Sequence, residues 1–153
     1  MGLARADLVL SIGGARAQAA FSATWGSALT QPHLVGHLAP IEMGMDWTGQ
    51  RVLAFAGIGY PEKFFATLRA LGAEVVQTEA LDDHAPFGKA LLQRLEHESE
   101  RLNAQLVTTE KDAVRLPVWF RTKVLSLPVR LRLNDWAAFD GALSSLGLGP
   151  SRE

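Results

Sequence analysis

Three short polar blocks carry the side chains able to do chemistry. The first, Thr109-Glu110-Lys111-Asp112, follows directly on an apolar run that Thr108 closes. Lys111 offers a point charge for a phosphate oxygen. Glu110 and Asp112 on either side can neutralise it in the free protein, and Thr109 or Asp112 can cap a short helix. A structural turn accounts for the threonine and one acid, but not for Glu, Lys and Asp in succession. The second block, Asp82-Asp83-His84, stands just before Pro86. An aspartate beside a histidine orients the imidazole and raises its basicity, which suits proton transfer or phosphate contact near neutral pH. Asp83 as a helix cap with His84 half-buried in a loop is the alternative, and the residues alone leave it open. The third block, Gly57-Ile58-Gly59, ends an apolar run and precedes Pro61. It resembles a phosphate-cradling turn. Glu62 stands where the dinucleotide fingerprint needs a third glycine, so a tight turn with positive φ is an equal alternative.

Other candidates carry less. Gly88-Lys89 is followed by Ala90 where a phosphate loop needs Ser or Thr, and no Walker sequence occurs anywhere. His33 and His37 lack a third ligand and sit where Val35 and Gly36 favour a strand; no metal site is expected. His97 falls on the polar side of a helical pattern. Trp25, Trp47, Trp119 and Trp136 are scattered rather than clustered with basic residues, which leaves base stacking unsupported. The absence of cysteine among 153 residues excludes disulfides and thiolate chemistry. A net charge of -1 gives no footprint for nucleic acid or anionic lipid. The longest apolar runs, such as Val52 to Ala56, are far short of the roughly 20 residues a membrane helix needs.

The elements that must position these blocks are short apolar strands and amphipathic helices. Strands are expected near Leu8–Ile12, Leu34–Leu38, Val52–Ala56, Glu74–Thr78, Leu106–Thr109 and Val124–Leu127. Several lack alternation, as parallel strands covered on both faces do. Helices are expected over Pro61–Leu71, stopped by Gly72, and over Pro86–Leu102 with Phe87, Leu91, Leu92, Leu95 and Leu102 inward. An alanine-rich helix follows the first strand. A last helix, over Asn134–Leu146, would carry Trp136, Phe139, Leu143 and Leu146 on its apolar face. Strand and helix alternate from residue 51 onward. The fold class is therefore α/β, a small mainly parallel sheet with helices on both faces, Rossmann-like. Residues 26–50 are rich in glycine and proline and read as a boundary between two structural units.

Taken together and in this order, "AFAGIGYPEKFFATLRALGAEVV", "DDHAPF" and "LVTTEKDAVRLP" closely resemble the carboxyl-terminal half of tetraacyldisaccharide 4′-kinase, the lipid A pathway enzyme. The resemblance covers essentially the whole chain from "LARADLVL" onward. It implies a longer enzyme in which an ATP-binding domain with a Walker loop is joined by a hinge to a smaller α/β domain. Residues 1–44 would then be a remnant of the P-loop nucleotide-binding domain and hinge, and 45–153 the carboxyl-terminal domain. The implied reaction transfers the γ-phosphoryl of Mg-ATP to the 4′-hydroxyl of a tetraacylated disaccharide 1-phosphate, the lipid A precursor, at the cytoplasmic face of the inner membrane. By position, Asp83 and His84 match the family's catalytic Asp-His pair. Thr109, Glu110, Lys111, Asp112, Gly57 and Gly59 match residues of its substrate or phosphate cleft. ATP, Mg²⁺ and membrane attachment would depend on the amino-terminal half, so this chain alone is expected to be inactive, to bind neither cofactor tightly and to be able to self-associate. A noncatalytic α/β module that binds a nucleotide or a partner chain is the alternative.

Overall fold

The computed structural model describes residues 3–41, 44–83 and 85–148. In chain order, the first elements are β1 (Val9–Ile12), α1 (Ala15–Trp25) and β2 (His33–Pro40). They are followed by β3 (Arg51–Ala56), α2 (Pro61–Ala70), β4 (Glu74–Ala80) and α3 (Lys89–Leu102). The chain continues with β5 (Gln105–Thr109), α4 (Glu110–Ala113), α5 (Val118–Arg121), β6 (Val124–Leu127), β7 (Val129–Leu133) and α6 (Ala137–Ser145). The chain forms two compact units, Met1–Ala39 with Arg130–Glu153, and Pro40–Val129.

The second unit holds all three polar blocks. Its sheet has the order β4-β3-β5-β6, and every adjacent pair is parallel. β3 is central and fully buried from Val52 to Ala56, which explains why its sequence shows no polar alternation. The pleat still sorts its side chains by parity. Val52, Ala54 and Ala56 face a cluster that contains Phe64, Phe65 and Leu68 of α2. Leu53 and Phe55 face the opposite cluster, with Leu92 and Leu95 of α3, Leu116 and Phe120. Neighbouring β5 divides likewise, Leu106 to the α3 side and Val107 to the α2 side. A sheet with helices on both faces follows directly.

Local signals set the helix ends. Pro61 opens α2, and Gly72, at φ +94°, closes it. α3 starts at Lys89 rather than at Pro86 as the periodicity suggests. Gly88 is extended, and the stretch before it turns on the bonds from Ala85 N–H to Asp82 O and from Gly88 N–H to Pro86 O. Phe87 nevertheless packs on the α3-side cluster.

The first unit has a sheet of order β1-β2-β7, with β1 and β2 parallel. Strand β7 is an element the sequence reading lacks, because Arg130 and Arg132 interrupt its apolar run. The expected boundary gave residues 45–153 to one domain, whereas the segment from Arg130 clusters with the first unit. The last helix also differs from expectation. α6 contains no fully buried residue; Trp136 and Leu146 at its ends are exposed while Phe139 and Leu143 are half-buried, so its apolar stripe is covered in part. In the same unit Ser11 Oγ donates to Gln18 Oε1 and meets His33 Nε2 at 2.7 Å.

Candidate functional site

Parallel strands send their carboxyl ends to one edge of a sheet, where open α/β folds keep their ligand chemistry. The turn after β3 carries Gly57 and Gly59, the loop after β4 carries Asp82 and Asp83, and the turn after β5 opens α4 with Glu110, Lys111 and Asp112. The structure brings these loops into contact. Gly57 N–H donates to Asp112 Oδ2 at 2.9 Å. Lys111 Nζ lies 3.4 Å from Asp83 Oδ1. A Cβ placed on Gly59 would stand 3.9 Å from Asp83 Oδ2. His84 lies outside the described residues.

Asp112 is the interior member of this edge, fully buried. Oδ2 accepts from the Gly57 backbone and from the Thr109 hydroxyl, and Oδ1 accepts from Arg115 Nη1 at 3.1 Å. Thr109 caps α4 by accepting the Asp112 N–H, so the two residues hold each other as well as the helix start. Thr108, also fully buried, donates to the carbonyl of Phe55 at 2.7 Å and pins β5 to β3 just below the edge. These bonds account for the threonines and for one of the three charges. Glu110 accounts for a second, accepting the Val129 N–H at 3.3 Å.

Lys111 is the charge that points outward. Of the two acids that flank it, Asp112 is turned inward and engaged by Gly57, Thr109 and Arg115, since adjacent residues on a helix point in different directions. An acid that Lys111 meets is Asp83, 28 positions upstream. Both side chains of that pair are about half exposed, 49% and 47%. Such a contact contributes about 1 kcal/mol or less, so an arriving phosphate can compete for the ammonium. The glycines also differ from one reading of them, because neither Gly57 nor Gly59 has a positive φ. Nor does packing demand them. A Cβ on Gly57 would meet Asp82 O at 3.4 Å and Asp112 Oδ1 at 3.5 Å, the edge of ordinary contact. Neither glycine is required by the backbone; Gly57 is buried, Ile58 packs on the α2-side cluster, and Gly59 is exposed.

Arg115 is a member of the site that the sequence reading passed over. Its Nη2 donates to the Ala85 carbonyl at 2.6 Å while Nη1 holds Asp112, so it ties the loop after β4 to the turn after β5. The signal was present as an Asp–Arg pair three residues apart, a spacing that places both on one helical face. At the other end of the sheet a concavity is lined by Gly49, Arg51, Glu100, Asn103 and Gln105. There Arg51 bonds the last carbonyl of α3 at Leu102 and pairs with Glu74, which is helix capping rather than ligand chemistry.

Among the described residues no group of three or more His, Cys, Asp or Glu side chains is placed to hold a metal ion. None of the helices described there is long and apolar enough to cross a membrane.

Comparison with known proteins places this geometry in a family. The family described as tetraacyldisaccharide-1-P 4'-kinase matches residues 1–147. A tetraacyldisaccharide 4'-kinase of Dinoroseobacter shibae is 56% identical over 146 residues, which is 95% of this chain and 43% of the relative. The corresponding protein of Jannaschia sp. is 51% identical over 146 residues, 95% of this chain and 44% of the relative. That of Rhodospirillum rubrum is 42% identical over 148 residues, 97% of this chain and 45% of the relative. The chain thus spans less than half the length of these curated relatives and matches their carboxyl-terminal portion. No solved structure is significantly similar to it. On its sequence, then, the chain belongs to the tetraacyldisaccharide 4'-kinase family.

Proposed function

We propose that this chain supplies the carboxyl-terminal wall of a lipid A 4′-kinase active site. The observation that carries the reading is the meeting of Lys111, Asp83 and the Gly57–Gly59 turn at the carboxyl edge of one parallel sheet, in a chain of this family. The reaction is transfer of the γ-phosphoryl of ATP to the 4′-hydroxyl of tetraacyldisaccharide 1-phosphate. A new bond forms from the hydroxyl oxygen to the γ-phosphorus, the bridging bond to ADP breaks, and the hydroxyl proton must leave. Such transfer depends on positioning and on neutralising charge at the phosphoryl oxygens.

Within it, Lys111 contacts a phosphate oxygen, exchanging its weak pairing with Asp83 for a charge-assisted bond. His84 orients or receives the proton of the acceptor hydroxyl, with Asp83 beside it in sequence. At the exposed end of the turn, Gly59 lets a phosphate or sugar approach the backbone. Thr109, Glu110 and Asp112 belong to the same cleft as its framework rather than as groups that touch ligand. The described residues do not fit a resident Mg²⁺: no three acid or histidine side chains stand together, and the buried carboxylate of Asp112 is occupied by protein donors. We therefore assign the magnesium ligands and the phosphate loop to the portion of the relatives that this chain does not span. The first unit we assign to the ATP-binding side. In support, Leu10, Ile12 and Leu38 on its strands are exposed, and neither α1 nor α6 contains a buried residue. The same apolar surface would favour self-association of the isolated chain. The complete enzyme would work in the cytoplasm, peripheral to the inner membrane that carries its lipid substrate.

The test is a graft. This chain replaces the corresponding portion of the Dinoroseobacter shibae kinase, and ATP-dependent phosphorylation of tetraacyldisaccharide 1-phosphate is measured. The graft should turn over while the chain alone should not; an inactive but folded graft would refute the reading.

A further inference from the structure

We infer that Arg115 is the positioning residue of this edge: its guanidinium clamps the loop after β4 onto the buried carboxylate of Asp112 and so sets where Asp83 stands relative to Lys111. One planar group makes both attachments. Nη1 donates to Asp112 Oδ1 at 3.1 Å and Nη2 to the Ala85 carbonyl at 2.6 Å, while the guanidinium carbon lies over the Phe87 ring, 5.1 Å from its centroid. Asp112 in turn holds the Gly57 N–H. Arg115 and Asp112 together therefore link the segments that follow β3, β4 and β5. The exposed contact between Lys111 and Asp83 adds about 1 kcal/mol or less to this attachment. Elsewhere in the loop, Leu81 N–H on Ala56 O anchors only its start to β3, and the turn from Ala85 N–H to Asp82 O adds local shape.

Lysine cannot replace this device. Its ammonium is a point charge on a flexible stem, able to stay opposite Asp112 but without the rigid fork that also reaches the carbonyl. The clamp stands on geometry alone. Its consequence for turnover rests on the kinase reading above, in which a misplacement of about 1 Å can cost about a hundredfold in rate.

The experiment compares Arg115→Ala and Arg115→Lys with the unmodified protein in two formats. In this chain, amide hydrogen exchange is followed at Ala85 and along β3. Exchange at Ala85 should quicken by about tenfold in both variants while β3 stays protected, as expected for loss of a charge-assisted attachment of one loop. The Lys variant keeps a cation opposite Asp112, and so decides the matter if the Ala variant fails to fold. In the grafted kinase, kcat should fall by about tenfold or more with KM for ATP changed much less, and Lys should restore thermal stability without restoring kcat. Unchanged exchange at Ala85, or full recovery of kcat by Arg115→Lys, would overturn the inference. If the graft with Arg115 intact is itself inactive, the kinase reading falls, and the exchange result still decides the clamp.

Discussion

Asp112 Oδ2 accepts the backbone N–H of Gly57 at 2.9 Å, a buried bond between residues 55 positions apart in sequence. It makes the polar block after β5 part of the same structure as the glycine turn after β3. With Arg115 on its other oxygen, the carboxylate is fully buried yet fully employed, and no buried side-chain polar atom among the described residues is left without a partner.

Replacing Asp112 by Ala should therefore be costly. Breaking a buried pair leaves its partner charge uncompensated, at about 3–5 kcal/mol, and the Gly57 N–H also loses its acceptor. The urea midpoint of Asp112→Ala should drop accordingly. Asp112→Asn keeps an acceptor for one of those donors and should lose less. Equal midpoints for the two variants would mean that the charge opposite Arg115 contributes nothing.

Phe55→Ala tests the core beneath the edge. Phe55 is fully buried in the central strand and meets the rings of Phe87 and Phe120 at 6.1 and 6.3 Å. Truncation of a buried phenylalanine costs about 3–5 kcal/mol, to be read from chemical denaturation. A loss below about 1 kcal/mol would contradict a tightly filled α3-side cluster.

How much of this was legible before the structure differs between the two units. In the second, β3 and β5 announced themselves as unbroken apolar runs, and Pro61 and Gly72 marked the ends of α2, because those signals are local. The gathering of the three blocks followed from parallel topology alone. The clamp did not, since the partners of Asp112 and Arg115 include Gly57 and Ala85, and no spacing rule connects residues that distant. The contact of Lys111 with Asp83 was not legible either, since Asp83 comes from a different strand end. In the first unit, periodicity placed α6 and its apolar stripe, of which Phe139 and Leu143 are half-buried and Trp136 and Leu146 exposed. A stripe of apolar residues states what a helix can cover, not whether anything covers it.

His84, which follows Asp83 directly, should behave differently from Asp112. In the grafted kinase, His84→Ala is expected to lower kcat by about a hundredfold, within the usual range for a lost general acid–base group, with little change in melting temperature. A lowered melting temperature with normal turnover would favour the loop and capping alternative instead.

Lys111 gives the most direct test of the claim that this edge of the sheet is one wall of a phosphoryl-transfer site. Its exposed pairing with Asp83 should be worth no more than about 1 kcal/mol, so Lys111→Ala should leave the fold intact. The decisive measurement is the steady-state rate of 4′-phosphorylation by the grafted kinase with and without Lys111→Ala, alongside its melting temperature. The account predicts a loss of about tenfold or more in kcat/KM at unchanged stability, the size expected for one charge-assisted phosphate contact. An active graft that keeps its full kcat/KM in Lys111→Ala would contradict it.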